Sequence, residues 1–173
     1  NNITLRIHGP ISPQASHWAK TDSRTKEELE KNMLEYFTAL CKRMNKEPSV
    51  KWMDVVNETI TPKGAWFEEK PGFELWENPW EQIGRDENDV PLYISKTFEI
   101  ANKYATKQSS VFNQHGGMEP KMWEKVKETI VYLKNKGYRI DGLGWQAHLR
   151  SNSPLALDKK QLDYFASLID WAH

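Results

Sequence analysis

Four times along this chain a short apolar run gives way to a longer segment with a helical apolar period, and no other feature limits the possible folds as much. The short runs are Ile3 to Ile7, Val50 to Val56, Ser109 to Phe112 and Tyr138 to Trp145. Each is bounded by turn residues or polar side chains, as strands are. The first periodic segment starts at about Thr25 and carries Leu29, Met33, Tyr36, Phe37, Leu40, Cys41 and Met44 on one face. The others run from about Pro91 to Tyr104, from about Pro120 through Leu133 to a Gly137 stop, and from about Asp158 to Trp171. Thr25 and Glu28 have capping-box spacing, and Pro120 stands where proline favours a helix start. Strands separated by single helices pair in parallel, because a crossover of that length returns the chain to the same end of the sheet. Val50 to Val56 is almost continuously apolar, which fits a strand covered on both faces.

The chain is therefore expected to be an α/β protein, either a doubly wound sheet or part of a (β/α)8 barrel. The strand ends favour the barrel. His8, then Asn57 and Glu58, then Asn113 to His115, then Gln146 and His148 follow the four runs, and barrels of this kind assemble their active sites at the C-terminal ends of the strands. A complete barrel takes about 250 residues and eight units. With 173 residues and four units, this chain reads as a partial TIM barrel, a half barrel forming one domain. A long excursion at about 59–90, rich in Pro and Gly, interrupts it, and loops of that length are usually functional. The outer strands of a half barrel are unpaired, so the remainder of the barrel or a second chain is expected to cover them. The strand starting at residue 3 and the last helix running to His173 without a stop signal read as cut ends.

Composition excludes several partners. The 24 basic and 24 acidic residues cancel, which argues against nucleic acid and anionic membrane surfaces. No apolar run reaches the length of a membrane span, and the first residues lack a signal-peptide layout. The single Cys41 rules out an internal disulfide framework. Eight Trp, six Tyr and six Phe supply flat apolar faces of the kind on which sugar rings stack.

A glycosidic bond has a poor leaving group, so most glycosidases place two carboxyl groups about the anomeric carbon, one of which protonates the departing oxygen. Such an acid has to hold its proton near neutral pH, which a partly desolvated place at a barrel mouth favours. Glu58 stands at such a place, with Asn57 beside it. A glutamate just after a strand also serves as a helix-start or solvated residue, and position alone leaves both readings open.

Trp52-Met-Asp-Val-Val-Asn-Glu58 resembles the W-D-V-V-N-E signature of glycoside hydrolase family 10, lengthened by Met53. Gly144-Trp-Gln-Ala-His148, preceded by Ile140-Asp-Gly, is similar to the family's G-x-Q-x-H run, and Arg6-Ile7-His8 resembles its R-G-H element with Ile7 in place of glycine. In that register the chain covers strand three through helix six of the family barrel. The resemblance implies a retaining endo-acting hydrolase of β-1,4-linked xylan or xylo-oligosaccharide, without cofactor or metal, secreted or periplasmic. By the same resemblance Glu58 is the acid/base, Asn57 the partner of the sugar 2-hydroxyl and Gln146 a sugar contact at the cleavage subsite. His148 is the histidine that holds the nucleophile, His8 lines the neighbouring subsite, and Asn113 is the asparagine after strand five.

Two departures bear on specificity. Gly9-Pro-Ile-Ser-Pro13 replaces the family's T-L-V-W-H stretch and its stacking tryptophan, and Asn113-Gln-His-Gly116 replaces N-D-Y-N. Trp18, Trp145 or the loop residues Trp66, Trp76 and Trp80 are candidate stacking platforms in compensation, although loop tryptophans equally serve to pin a long excursion to the barrel. The family nucleophile is a glutamate at the next strand end, beyond His173, so this segment is expected to carry half of a catalytic pair and to be inactive alone. Asp54, Asp141 and Asp170 read as structural. Two other functions compete. One is a non-catalytic xylan-binding half barrel; the other is a zinc enzyme using His8, His115 and His148, which lack the local ligand spacing of zinc sites.

Overall fold

The computed structural model describes residues 3–13, 25–68, 78–149, 152 and 158–173. Strands β1 (Leu5–Ile7), β2 (Val50–Asn57), β3 (Ser109–Gln114) and β4 (Gly142–Trp145) alternate with helices α1 (Lys26–Met44), α2 (Leu92–Tyr104), α3 (Pro120–Asn135) and α4 (Lys159–Ala172). The strands form one parallel sheet in the order β1-β2-β3-β4, each strand beside its predecessor. This is the half barrel that the βα alternation predicts.

Local chemistry sets the helices. The Thr25 hydroxyl accepts from the Glu28 backbone N–H at 3.2 Å, and the Glu28 carboxylate accepts from that of Thr25 at 2.9 Å. Glu27 and Glu28 in the first turn and Lys42 and Arg43 in the last complement the helix dipole. The face that α1 buries is narrower than its apolar pattern suggests: Leu29, Met33, Phe37 and Cys41 are buried, whereas Tyr36 is 53% exposed. The chain leaves α3 through Gly137, whose φ of 88° suits glycine.

The core lies between sheet and helices. Met53, Val55 and Phe112 pack with Phe37, Phe98, Met122, Trp123 and Leu133, and the rings of Phe98 and Phe112 stack with centroids 6.2 Å apart. Burial raises the Cys41 thiol to about 12, so it acts as a small apolar side chain beside the Met53 sulfur. In β2, Asp54 pairs with Val111 and Val56 with Phe112, leaving Val55 as an extra residue opposite β3. The lengthened motif is absorbed there as a bulge, and in-register pairing resumes at Asn57 and Asn113.

Two boundaries differ from expectation. β3 runs to Gln114, so Asn113 and Gln114 are strand residues. β4 begins only at Gly142. Before it, side chains take over part of the ladder: Asn102 brackets the N–H and C=O of Arg139 at 2.5 and 3.1 Å, and Asp141 donates its N–H to the Ser110 carbonyl while its carboxylate accepts from the Ser110 N–H, both at 2.8 Å. The Arg139 guanidinium in turn donates to the carbonyls of Ala105, Thr106 and Gln108, which ties this end of β3 to β4. In the excursion, Ile60 bridges Trp66, Arg85 bridges Pro91, and Pro79–Ile83 forms a 3-10 helix.

The same excursion is anchored through Asp86. Its carboxylate accepts from the Asn88 and Val90 N–H groups, the Tyr132 hydroxyl and Lys136 on α3. Burial by itself would raise this carboxyl, but those hydrogen bonds outweigh it and bring it to about 2. A carboxyl depressed in the folded state stabilises it above the ordinary carboxylate range and loses that contribution as the pH falls through its folded value. Asp86→Asn is expected to cost about 1–3 kcal/mol at pH 7. Denaturant titrations should show the gap from wild type closing between about pH 4 and pH 2; a gap that persists at pH 2 would remove Asp86 as the anchor.

Candidate active site

The C-terminal ends of β1, β3 and β4 open into one groove of about 330 Å³, lined by Arg6, His8, Asn113, Trp145, Gln146 and His148, and the end of β2 is hydrogen-bonded to that lining through Asn57 and Glu58. The side chains are wired to one another. Arg6 on β1 donates through Nε to Asp54 Oδ1 at 2.7 Å and through Nη2 to Asn113 Oδ1 at 3.0 Å. Asp54 is fully buried, and its other oxygen meets His8 Nδ1 at 2.8 Å. Asn113 Nδ2 donates to Asn57 Oδ1 at 2.7 Å, and Gln146 Nε2 donates to the same oxygen at 2.9 Å. Gln146 Nε2 also donates to Glu58 Oε1 at 2.5 Å, and Gln146 Oε1 lies 2.7 Å from His148 Nε2.

Glu58 ends this chain of contacts. It follows β2 directly, and its N–H donates to the Asn113 carbonyl at 3.0 Å, so the sheet ladder holds its backbone. Its φ of 56° lies in the left-handed region, as does the 52° of Ala147 between Gln146 and His148. A left-handed glutamate is uncommon, and such residues persist where surrounding structure over-determines them. The residue is 6% exposed, and Glu58 Oε2 is buried with no hydrogen-bond partner among the described residues. A buried carboxyl held by one oxygen, with the other uncommitted, can give or take a proton.

The six polar residues to which the resemblance gives site roles thus stand together: Glu58, Asn57, Asn113, Gln146, His8 and His148. Trp145 is among them, but its indole N–H donates to the Gly116 carbonyl at 2.8 Å and its ring packs on Phe165 at 4.9 Å, so it is fixed at the groove wall. Of the two readings of the loop tryptophans, the structure favours the one in which they pin the excursion. Trp66 and Trp80 are 4% and 6% exposed, with indole N–H groups on the carbonyls of Asp89 and Ser12. Both are core residues in this structure rather than open stacking platforms. Trp76 and Trp18 lie outside the described residues.

Three residues have contacts in the site that the sequence reading did not give them. Arg6 and Asp54 both stand in the matched motifs, and Asp54 was read as structural, but their pairing and the Arg6 bond to Asn113 come from the structure. His115 is half-buried near Glu58 and Glu119. Burial lowers its pKa, an effect opposed by the two carboxylates and reinforced by His148. Among the described residues, no three His, Cys, Asp or Glu side chains are grouped as metal ligands are.

Comparison with known proteins places this geometry. Residues 1–169 match the family model described as glycosyl hydrolase family 10. Endo-1,4-beta-xylanase A of Caldicellulosiruptor saccharolyticus is 30% identical over 175 residues, which cover 97% of this chain and 47% of that protein. The solved structure of an endo-1,4-beta-xylanase from Caldicellulosiruptor owensensis matches with a TM-score of 0.69 and 27% identity, over 98% of this chain and 47% of that one. The structure of the CBM22-1 and GH10 modules of Clostridium thermocellum Xyn10B, solved with xylohexaose, shares the fold at a TM-score of 0.78 and 19% identity, over 98% of this chain and 35% of that one. The chain spans about half the length of the curated relative it matches over nearly its whole length.

The tryptophan placement can be checked directly. If Trp66 and Trp80 are core residues, alanine at either position should lower unfolding free energy by about 3–5 kcal/mol. An exposed platform would leave the denaturation midpoint nearly unchanged.

Proposed function

The chain belongs to glycosyl hydrolase family 10, and from that membership we propose that it is the part of a retaining endo-β-1,4-xylanase that carries the acid/base, Glu58. The observation that carries this reading is the Glu58 carboxyl: buried, held by Gln146 through Oε1, and unpartnered at Oε2. In the first half-reaction Glu58 Oε2 delivers its proton to the departing glycosidic oxygen. In the second, the resulting carboxylate takes a proton from the attacking water. Asn57 Nδ2 donates to the sugar 2-hydroxyl, a contact that strengthens in the transition state. Gln146 contacts the sugar at the cleavage subsite, His8 lines the subsite beside it, and Asn113 and Trp145 form part of the groove wall.

The second carboxylate is assigned to the remainder of the barrel. Among the internal candidates, Asp54 is consumed by Arg6 and His8, and Asp141 by Arg139 and the Ser110 N–H. A retaining partner would stand about 5–5.5 Å from Glu58, within reach of His148. The open sides of the sheet support a missing half. β1 and β4 each pair along one edge among the described residues, and Ile3 and Leu5 are exposed beside the first. Beside β4 an apolar slot of about 90 Å³ runs between Leu143, Trp145, Phe165 and Ile169. Four further βα units would cover both sides and close the barrel.

The test uses the full-length protein that contains this segment. Glu58→Gln should reduce xylan hydrolysis by about 10²–10⁴-fold. An aryl xyloside whose leaving group needs no proton should still be attacked in the first step, and added azide should restore its turnover. Xylan turnover within a few-fold of wild type would overturn the assignment. Residues 1–173 alone are expected to bind xylo-oligosaccharide without cleaving it; cleavage that survives Glu58→Gln would sink the two-carboxylate reading.

A further inference from the structure

We propose that Arg6 is a positioning residue that fixes which end of the Asn57 amide is offered to substrate. This rests on the reading above, in which Asn57 donates to the sugar. An asparagine amide can be turned over with little change of shape, which exchanges its donor for its acceptor. Something has to choose between the two orientations, and two donors do so: Gln146 Nε2, which Glu58 turns toward Asn57 Oδ1 from β4, and Asn113 Nδ2, whose own direction starts at Arg6. A guanidinium has five N–H groups and no acceptor, so only Asn113 Oδ1 can face it. Asn113 Nδ2 is thereby turned to Asn57 and requires Oδ1 there as acceptor. Asn57 Nδ2 is left on the far side, toward the segment after β1, where it lies 3.3 Å from Ser12 Oγ. One of its two N–H groups can serve that hydroxyl, and the other is available to a sugar.

Two further observations support this chain of choices. The Arg6 guanidinium is itself clamped, because the fully buried Asp54 carboxylate holds its Nε and Nη2 edge. It cannot swing away and let Asn113 reverse. Gly144 on β4 also leaves the necessary space. A Cβ at that position would fall well inside van der Waals contact of Asn113 Oδ1 and 2.7 Å from Arg6 Nη2, across the bond between them. Gly144 lies outside the positive-φ region where glycine is favoured, so the space it leaves is its evident use.

The test has two readouts and two kinds of variant, all in the 173-residue chain. The first is the NMR contact between the Asn57 side-chain amide protons and the Ser12 β-protons, which needs no sugar. Arg6→Lys keeps a donor-only group and should retain this contact; Arg6→Met should weaken it as the amide reverses. Arg6→Met also strips Asp54 of its partner. Gly144→Ala is therefore made in parallel, since it crowds the Arg6–Asn113 bond from β4 while Asp54 keeps its cationic partner and the Nε bond to it, and it decides the matter if Arg6→Met does not fold. The second readout is xylotriose affinity. Loss of one hydrogen bond should weaken binding about fivefold in Gly144→Ala or Arg6→Met. Combining either with Asn57→Ala should be no worse than Asn57→Ala alone. A merely structural role would make the losses multiply and leave the Asn57–Ser12 contact intact, and that result overturns the proposal. If the wild-type chain does not bind xylotriose, the proposed function fails instead, and the amide contact alone decides what Arg6 does.

Discussion

The site depends on one buried charge. Asp54 sits in the middle of β2 with no solvent exposure, and a carboxylate there is tolerable only with partners. Arg6 and His8, both from β1 and its end, supply them. Removing one member of a buried pair costs about 3–5 kcal/mol, largely because the other charge is left uncompensated. The pair therefore fixes where β1 stands relative to β2 more firmly than three residues of ladder could. The same two partners line the groove. The interaction that secures the edge of the sheet also sets the orientation of the groove floor.

From that point order passes along the strand ends by hydrogen bonds whose directions are not free. Arg6 can only donate; Asn113 and Gln146 each present Nδ2 or Nε2 to Asn57; Gln146 spends its amide nitrogen on both Asn57 and Glu58. Each β-strand contributes one link, so none of these contacts exists until the sheet has formed. The bulge at Val55 matters for the same reason. Without that extra residue in β2, every later side chain would move to the opposite face, and Asn57 would no longer stand level with Asn113.

How much of this was legible in the sequence follows from the range of the forces involved. The four βα units, the Thr25 capping box and the Gly137 stop are local, and the sequence reading located them within a few residues. The six polar groups at the strand ends were legible because barrel topology carries each strand's last residue to one face. Contacts between distant residues were not. Nothing in the order of residues says that Arg6 meets Asp54 and Asn113, separations of 48 and 107 residues. The shortened β4 was missed because Asn102, thirty-seven residues earlier, replaces ladder bonds that the pattern from Tyr138 onward appeared to require. Tyr36 was misplaced because apolar period alone does not give the width of a buried face.

The tryptophans show where composition misleads. An indole has a large apolar area and one donor, so it is stable wherever the ring is covered and the N–H finds an acceptor. A sugar-binding platform satisfies that demand only when sugar is bound, whereas a carbonyl in a neighbouring loop satisfies it always. Trp66 finds the Asp89 carbonyl and Trp80 the Ser12 carbonyl, so both are drawn inward. Trp66 thereby closes the 59–90 excursion on itself, while Trp80 pins it against the segment that follows β1. That segment also contains Ser12 Oγ, the partner of Asn57 Nδ2. The aromatic content that first suggested sugar stacking therefore acts one step removed, by holding the loop that borders the Asn57 donor.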